Sequence, residues 1–266
     1  MSFAVKLVLT AGIVVSASVV VERAGPLIGA LVVTLPVTVW PAYVFLALDH
    51  DAAYLAASGK SGLAVTAVSA AFMLVYLVLA QRLGALVSVI PAVACWIGLA
   101  WFVRGVEWTV AEAALLNAVA FAIAIRLSGR FRDVKVPKIA RQWYELPLRT
   151  ALVCALMGAV LVLSNVAGPT ATGMIAVYPI STTCTMLILH TRIGGRPSAA
   201  VIANGLWGMV GLAGGLFALT VTVEPFGEVV ALALTLLVPI AWNMSVWYTR
   251  QRAARALAGA EAVSSR

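Results

Sequence analysis

Apolar runs of about twenty residues follow one another along this chain, and they leave few folds open to it. They are Ala4 to Val21, Pro26 to Leu48, Gly62 to Ala80, Gly84 to Val103 and Trp108 to Ile125, then Leu148 to Val166, Pro169 to Leu189, Ser198 to Val221 and Glu228 to Tyr248. A helix rises about 1.5 Å per residue, so each run is long enough to cross a hydrocarbon layer of about 30 Å. Within lipid every backbone polar group must find its partner inside the segment, which makes each run a helix. The roughly ten-residue alternating segments of a membrane barrel are absent. Apolar residues make up 63% of the sequence and charged ones 11%, with a mean hydropathy of +1.04, too little polar surface to cover a soluble core. The expectation is an all-α, polytopic transmembrane helix bundle of about nine helices, with the lipid bilayer as its main partner. Lys6 with the apolar run after it imitates a signal peptide. It is read as a spanning helix because the segment has a counterpart later in the chain.

The longest polar stretch, 128–147, reads SGRFRDVKVPKIARQWYELP and carries Arg130, Arg132, Lys135, Lys138 and Arg141, with Trp143 and Tyr144 as interfacial anchors. The positive-inside rule places this loop in the cytoplasm. Counting crossings from it puts the N-terminus outside, the C-terminus inside, and only Lys6, Lys60 and Arg104 of the 18 basic residues outside. The net charge of +8 is therefore a topology signal, and no nucleic-acid-binding motif accompanies it.

The order also contains an echo. Ala24-Gly25-Pro26 is followed by Pro36, and Ala167-Gly168-Pro169 by Pro179, at an offset of 143 residues (167 − 24). Lys6 and Arg149 share the offset as helix-end anchors, and Pro91 and Pro239 each lie inside an apolar run with tryptophans after them. The expected organisation is a first four-helix repeat over 1–103, a linker helix over 104–126, a basic cytoplasmic loop over 127–147, a second four-helix repeat over 148–248 and a cytoplasmic tail over 249–266. An odd number of crossings separates the two starts, so the halves form an inverted 4+1+4 repeat, a plan common in secondary transporters.

Pro36 and Pro179 each fall about ten residues into a run, near mid-membrane depth. A proline cannot donate its backbone hydrogen bond, which would free the carbonyls of Val32 and Ile175 beside Thr34, Thr38, Ser181, Thr182 and Thr183. These residues, with the deep amides Asn204 and Asn243, form the expected substrate site. The alternative is that the prolines only bend helices while the hydroxyls bond to their own turns. Glu112, within the fifth run, is the candidate coupling carboxylate. Glycines 205, 208, 211, 214 and 215 mark a close-packing face, within the chain or between copies through Gly211 and Gly215. Cys95, Cys154 and Cys184 lie in apolar runs without metal-ligand spacing, and Asp49-His50-Asp51 reads as a solvated loop. No catalytic or cofactor motif stands in a credible context, so no enzyme, metal or cofactor is expected.

The first half resembles the GlpM family of small bacterial inner-membrane proteins in Ala24-Gly25-Pro26, Leu35-Pro36, the segment on to Tyr54, and Ile90-Pro91-Ala92-Val93-Ala94-Cys95-Trp96. The resemblance covers about 80 residues and implies a bacterial inner-membrane location; it carries no catalytic residue. At the level of architecture the chain is similar to drug/metabolite transporters such as EmrE, but its first run has no mid-membrane glutamate. The functional expectation is a secondary carrier or exporter of a small metabolite or lipid-linked substrate. The alternative is a non-transporting scaffold or regulatory subunit of an envelope-polymer or lipid pathway.

Overall fold

The structure, a computed structural model, describes residues 5, 6, 8–12, 15, 16, 38–132, 134, 136, 137 and 142–264, the last twelve as backbone only. Every regular element among them is helical: α1 (Val39–Ala47), α2 (Ala52–Thr66), α3 (Val68–Leu79), α4 (Ala85–Arg104), α5 (Val110–Leu127), a 3-10 turn (Gly129–Phe131), α6 (Glu145–Val166), α7 (Gly168–Ala176), α8 (Ile180–Ile193) and α9 (Gly195–Ser264). Among the described residues six stretches are long and apolar enough to cross a membrane: Ala52–Leu79, Ala85–Arg104, Val110–Leu127, Glu145–Val166, Gly168–Ile193 and Gly195–Arg252. The chain is thus a multi-pass membrane protein.

At about 1.5 Å per residue, the last stretch would overshoot any bilayer if straight. Instead α9 doubles back at Gly227, whose φ of 80° and ψ of 168° suit only glycine. Its arms, 195–226 and 228–264, pack antiparallel. A Cβ on Gly211 would meet Trp242 and Pro239, one on Gly215 would meet Pro239 and the Thr235 carbonyl, and Trp242 Nε1 donates to the Trp207 carbonyl at 2.7 Å. The glycine face considered for self-association is thereby filled from within the chain. Gly194 (φ 85°, ψ 168°) makes the same reversal between α8 and α9.

The span α2–α3 is the hub. It packs on α7, on α9 and on α5, while α4, α5 and α6 turn wide apolar faces outward to lipid. It starts at Ala52, ten residues before the expected Gly62. Its opening turns, Ala52 to Ser61, are too weakly apolar to signal a span, but Asp51 caps them by accepting from Tyr54 N at 2.9 Å. Small residues there admit neighbours closely. A Cβ on Gly173 of α7 would lie 2.0 Å from the Ser58 carbonyl oxygen, and one on Gly59 would lie 2.8 Å from Thr220 Oγ1. Other limits also moved. α6 begins at Glu145 rather than Leu148, and helix continues past Tyr248 to Ser264.

The hub runs antiparallel to the first arm of α9. Gly59 lies against Thr220 near one end, and Ala80 lies against Gly195 at the other. At that second end, buried Tyr76 joins three segments: its hydroxyl meets Ser198 Oγ at 2.7 Å and His190 Nδ1 at 3.1 Å. Removing the hydroxyl strands two buried groups at a helix junction, at about 1–3 kcal/mol for such a loss. Tyr76→Phe is therefore expected to lower the thermal unfolding temperature in detergent measurably, with Phe72→Leu as a packing control; an unchanged midpoint would show the cluster to be idle.

Candidate functional site

The seventh span is discontinuous. α7 ends at Ala176, α8 starts at Ile180, and Val177, Tyr178 and buried Pro179 form a non-helical joint between them. The joint lies nine residues in from Gly168, about 14 Å along the helix axis and so close to mid-bilayer depth. Proline at 179 removes one donor, but the Ile175 carbonyl is not left open as the sequence suggested: Tyr178 N closes a tighter turn onto it at 3.0 Å. On the far side the Pro179 carbonyl accepts from Thr183 N at 2.9 Å and Thr183 Oγ1 at 3.0 Å. Thr183 thus bonds to its own turn, and Thr185 Oγ1 does likewise to the Ser181 carbonyl at 2.8 Å.

Aromatic side chains brace the joint. The Tyr178 ring stands edge-on to Trp96, with centroids 4.9 Å apart and planes at 84°, and Trp96 Nε1 donates to Ser69 Oγ at 3.3 Å. Tyr43 donates its hydroxyl to the Ser58 carbonyl at 3.1 Å, and a Cβ on Gly62 would meet both that hydroxyl, at 2.7 Å, and Val177, at 3.1 Å. A crevice too tight for a water molecule lies between α1, α6 and α7, lined by Thr38, Ala42, Val153, Leu156, Met157, Val160 and Ala176. Ala176 is the last residue before the joint, so crevice and joint are continuous.

The sequence-predicted site is therefore only partly assembled. Thr34 and Pro36 lie outside the described residues. Thr38 lines the crevice; Pro179, Ser181, Thr182 and Thr183 surround the joint. The lining is apolar apart from Thr38, so the expected ring of hydroxyls is not what faces this space. Asn204 is exposed and turns to Arg250, whose guanidinium reaches its Oδ1 at 3.1 Å, while Asn243 is buried on the second arm of α9. Glu112 is exposed at the start of α5 and accepts from Thr109 N and Thr109 Oγ1, each at 2.8 Å, while Thr109 Oγ1 accepts from Glu112 N at 3.2 Å. The spacing Thr109-x-x-Glu112 is a capping box, a signal visible in the sequence and passed over. Asp49, His50 and Asp51 are likewise individually engaged, with Lys6, the Tyr54 ring (3.9 Å, stacked) and the α2 cap.

Two ion pairs escaped the sequence reading. Lys6 pairs with Asp49 at the end where α1 finishes, and Glu145 pairs with Arg192 at the opposite end, where α8 finishes. The order of charges differs between them: the cation comes first in the chain in Lys6–Asp49, the anion first in Glu145–Arg192. Against these features, no family model matches the chain, and neither a curated protein nor a solved structure does.

Proposed function

We propose that the chain is a secondary carrier for a small solute, working by alternating access around the joint at 177–179. The observation that carries this reading is the discontinuous span itself. Non-helical backbone at mid-membrane depth is tolerated where protein or a cavity surrounds it, and broken helices recur where carriers hold their substrates. The crevice has no room for even a water molecule, as expected of the closed centre of a transport cycle.

Several features support opposed halves. Asp51 and Gly194 stand 143 residues apart (194 − 51), as do Gly84 and Gly227 (227 − 84), and each precedes a helix with ψ between 168° and 173°. Pro91 and Pro239 are 148 apart (239 − 91), five residues out of that register. The antiparallel packing of the hub on the first arm of α9 is what inversion requires, and the exchanged ion pairs would be its two latches. Arg82, Arg126, Arg130, Arg192, Arg196 and Arg252 share the Glu145 end, which the positive-inside rule makes cytoplasmic in a bacterial inner membrane. The chain reads as a duplicated relative of the GlpM-like proteins, without catalytic chemistry. A filled interior with glycine-mediated contacts favours a second reading, a membrane scaffold without a transport cycle.

Single cysteines in a background lacking Cys95, Cys154 and Cys184 separate these readings. Leu48→Cys, Glu107→Cys and Phe226→Cys should react with an impermeant thiol reagent on intact cells. Val136→Cys, Gly194→Cys and Arg252→Cys should react only after permeabilisation. Labelling of positions 48 and 194 from one side would sink the inverted plan. Thr38→Cys and Ser181→Cys, at the joint, should react with a small thiosulfonate in a cycling carrier; complete protection of both would hand the case to the scaffold.

A further inference from the structure

At the Glu145 end, away from the joint, two arginines converge across the seam between the 3-10 turn after α5 and the hairpin of α9. Arg132 is anchored from below: its guanidinium donates to the Ile125 carbonyl and, at 2.8 Å, to Ser128 Oγ, so it extends the last turn of α5. Arg250, on the second arm of α9, donates to Asn204 Oδ1 at 3.1 Å and sits over the Trp207 ring at 5.9 Å. The turn and α9 pack together, and the two guanidiniums repel each other there. Like charges held together at a membrane surface destabilise the fold unless something negative lies between them. Glu145, at this end, is engaged with Arg192; Asp133 and the side chain of Glu261 lie outside what is described.

Two donors at this seam are also unspent. Arg132 Nε and Trp207 Nε1 are both buried and have no hydrogen-bond partner. A buried N–H without an acceptor costs about 1–3 kcal/mol, and here one belongs to an arginine of the pair and the other to the ring beneath its fellow. Two planar guanidinium forks and an indole N–H, with no acid among them, match a tetrahedral oxyanion, which accepts several bonds at once. The depth suits a headgroup: Arg132 follows the end of α5, and Arg250 lies 22 residues along the second arm from Glu228 (250 − 228), about 33 Å and so one hydrocarbon thickness from the Gly227 reversal.

We propose that Arg132, Arg250 and the Trp207 indole form a binding site for a phosphate-type anion, the phosphodiester of an anionic phospholipid or a free phosphate. The site clamps the end of α5 to the α9 hairpin and is independent of any transport cycle. Losing two charge-assisted contacts should weaken binding about tenfold or more.

The test uses the full chain purified in a zwitterionic detergent. Native mass spectrometry after exchange into nanodiscs of phosphatidylcholine with phosphatidylglycerol should show the glycerol lipid retained preferentially. The Arg132→Gln/Arg250→Gln protein should lose that preference, and Arg252→Gln, outside the seam, should keep it. Arg250→Lys retains the charge without the fork and should lose part of the preference, which guards against a double variant that misfolds. In parallel, inorganic phosphate is titrated into the detergent sample against chloride at matched ionic strength. A rise in unfolding temperature with phosphate, lost in the double variant and unaccompanied by lipid preference, would support the site with a soluble anion as its occupant. Equal retention of both lipids with no phosphate effect, or responses that the double variant keeps, would overturn the proposal.

Discussion

Gly173→Leu is expected to prevent the bundle from assembling, with a loss of about 3 kcal/mol or more from overpacking. The Cβ alone would stand 2.0 Å from the Ser58 carbonyl oxygen, 2.8 Å from its carbon and 3.0 Å from the Ser58 Cα. All three are backbone atoms of the hub, so no rotamer change relieves the overlap and α7 must move away from α2. That displacement would reopen the Tyr54 contacts, whose hydroxyl meets the Ser164 carbonyl at 3.0 Å and Thr172 Oγ1 at 2.9 Å. The readout is the monodisperse fraction after detergent extraction, together with the thermal unfolding midpoint. Gly98→Leu is the control, because a Cβ on Gly98 meets nothing within 4 Å. Equal behaviour of the two variants would mean that α2 and α7 do not touch as described.

Asp49→Lys should be nearly as damaging, and the exchange Lys6→Asp with Asp49→Lys should recover most of the loss. The Lys6 side chain is only 4% exposed and that of Asp49 29%. A single reversal sets two cations against each other in a place with little water, and disrupting a buried pair typically costs about 3–5 kcal/mol, at the low end here because Asp49 is partly wetted. The double exchange restores opposite signs and leaves the charge at that end unchanged, so topology is not altered. Thermal unfolding of the wild type, both single variants and the exchange gives the coupling directly. If the exchanged protein were no more stable than the worse single variant, the contact would not be a pair. In a carrier the Asp49 variant would also speed labelling of Thr38→Cys from the Lys6 side, and Arg192→Glu would do so from the other.

Much of the fold can be read from hydropathy because lipid imposes length and internal hydrogen bonding on every span. Apart from the last, whose helix continues sixteen residues past Tyr248 (264 − 248), the runs from Gly84 onward fall within a few residues of observed helices, and Pro179 interrupts its helix where proline chemistry says it should. The hub's first turns escaped notice for the opposite reason. Within Ala52 to Ser61 it is Leu55, Ser58 and Gly59 that are buried against protein, so small residues replace the large apolar ones that signal a span. The site was less legible. Proline and hydroxyls in the sequence suggested a polar centre, but hydroxyls can satisfy the backbone of their own helix, and Thr183 and Thr185 do so. What lines the crevice instead, Val153, Leu156, Met157 and Val160, comes from α6 and depends on how that helix is rotated, which apolar periodicity cannot fix when lipid and protein are equally apolar. The ion pairs span 43 and 47 residues of sequence, beyond any local rule.

The reversal at Gly227 bears on how such a chain can change over generations. One residue joins the two arms of α9, with no slack on either side. Inserting or deleting a residue there turns everything after it by about 100°, swinging Pro239 and Trp242 off Gly211 and Gly215 and taking Arg250 away from Trp207. Loops ordinarily absorb length variation between relatives. This corner cannot, so from Gly195 onward descendants of this chain would differ by substitution while their residue count stayed fixed.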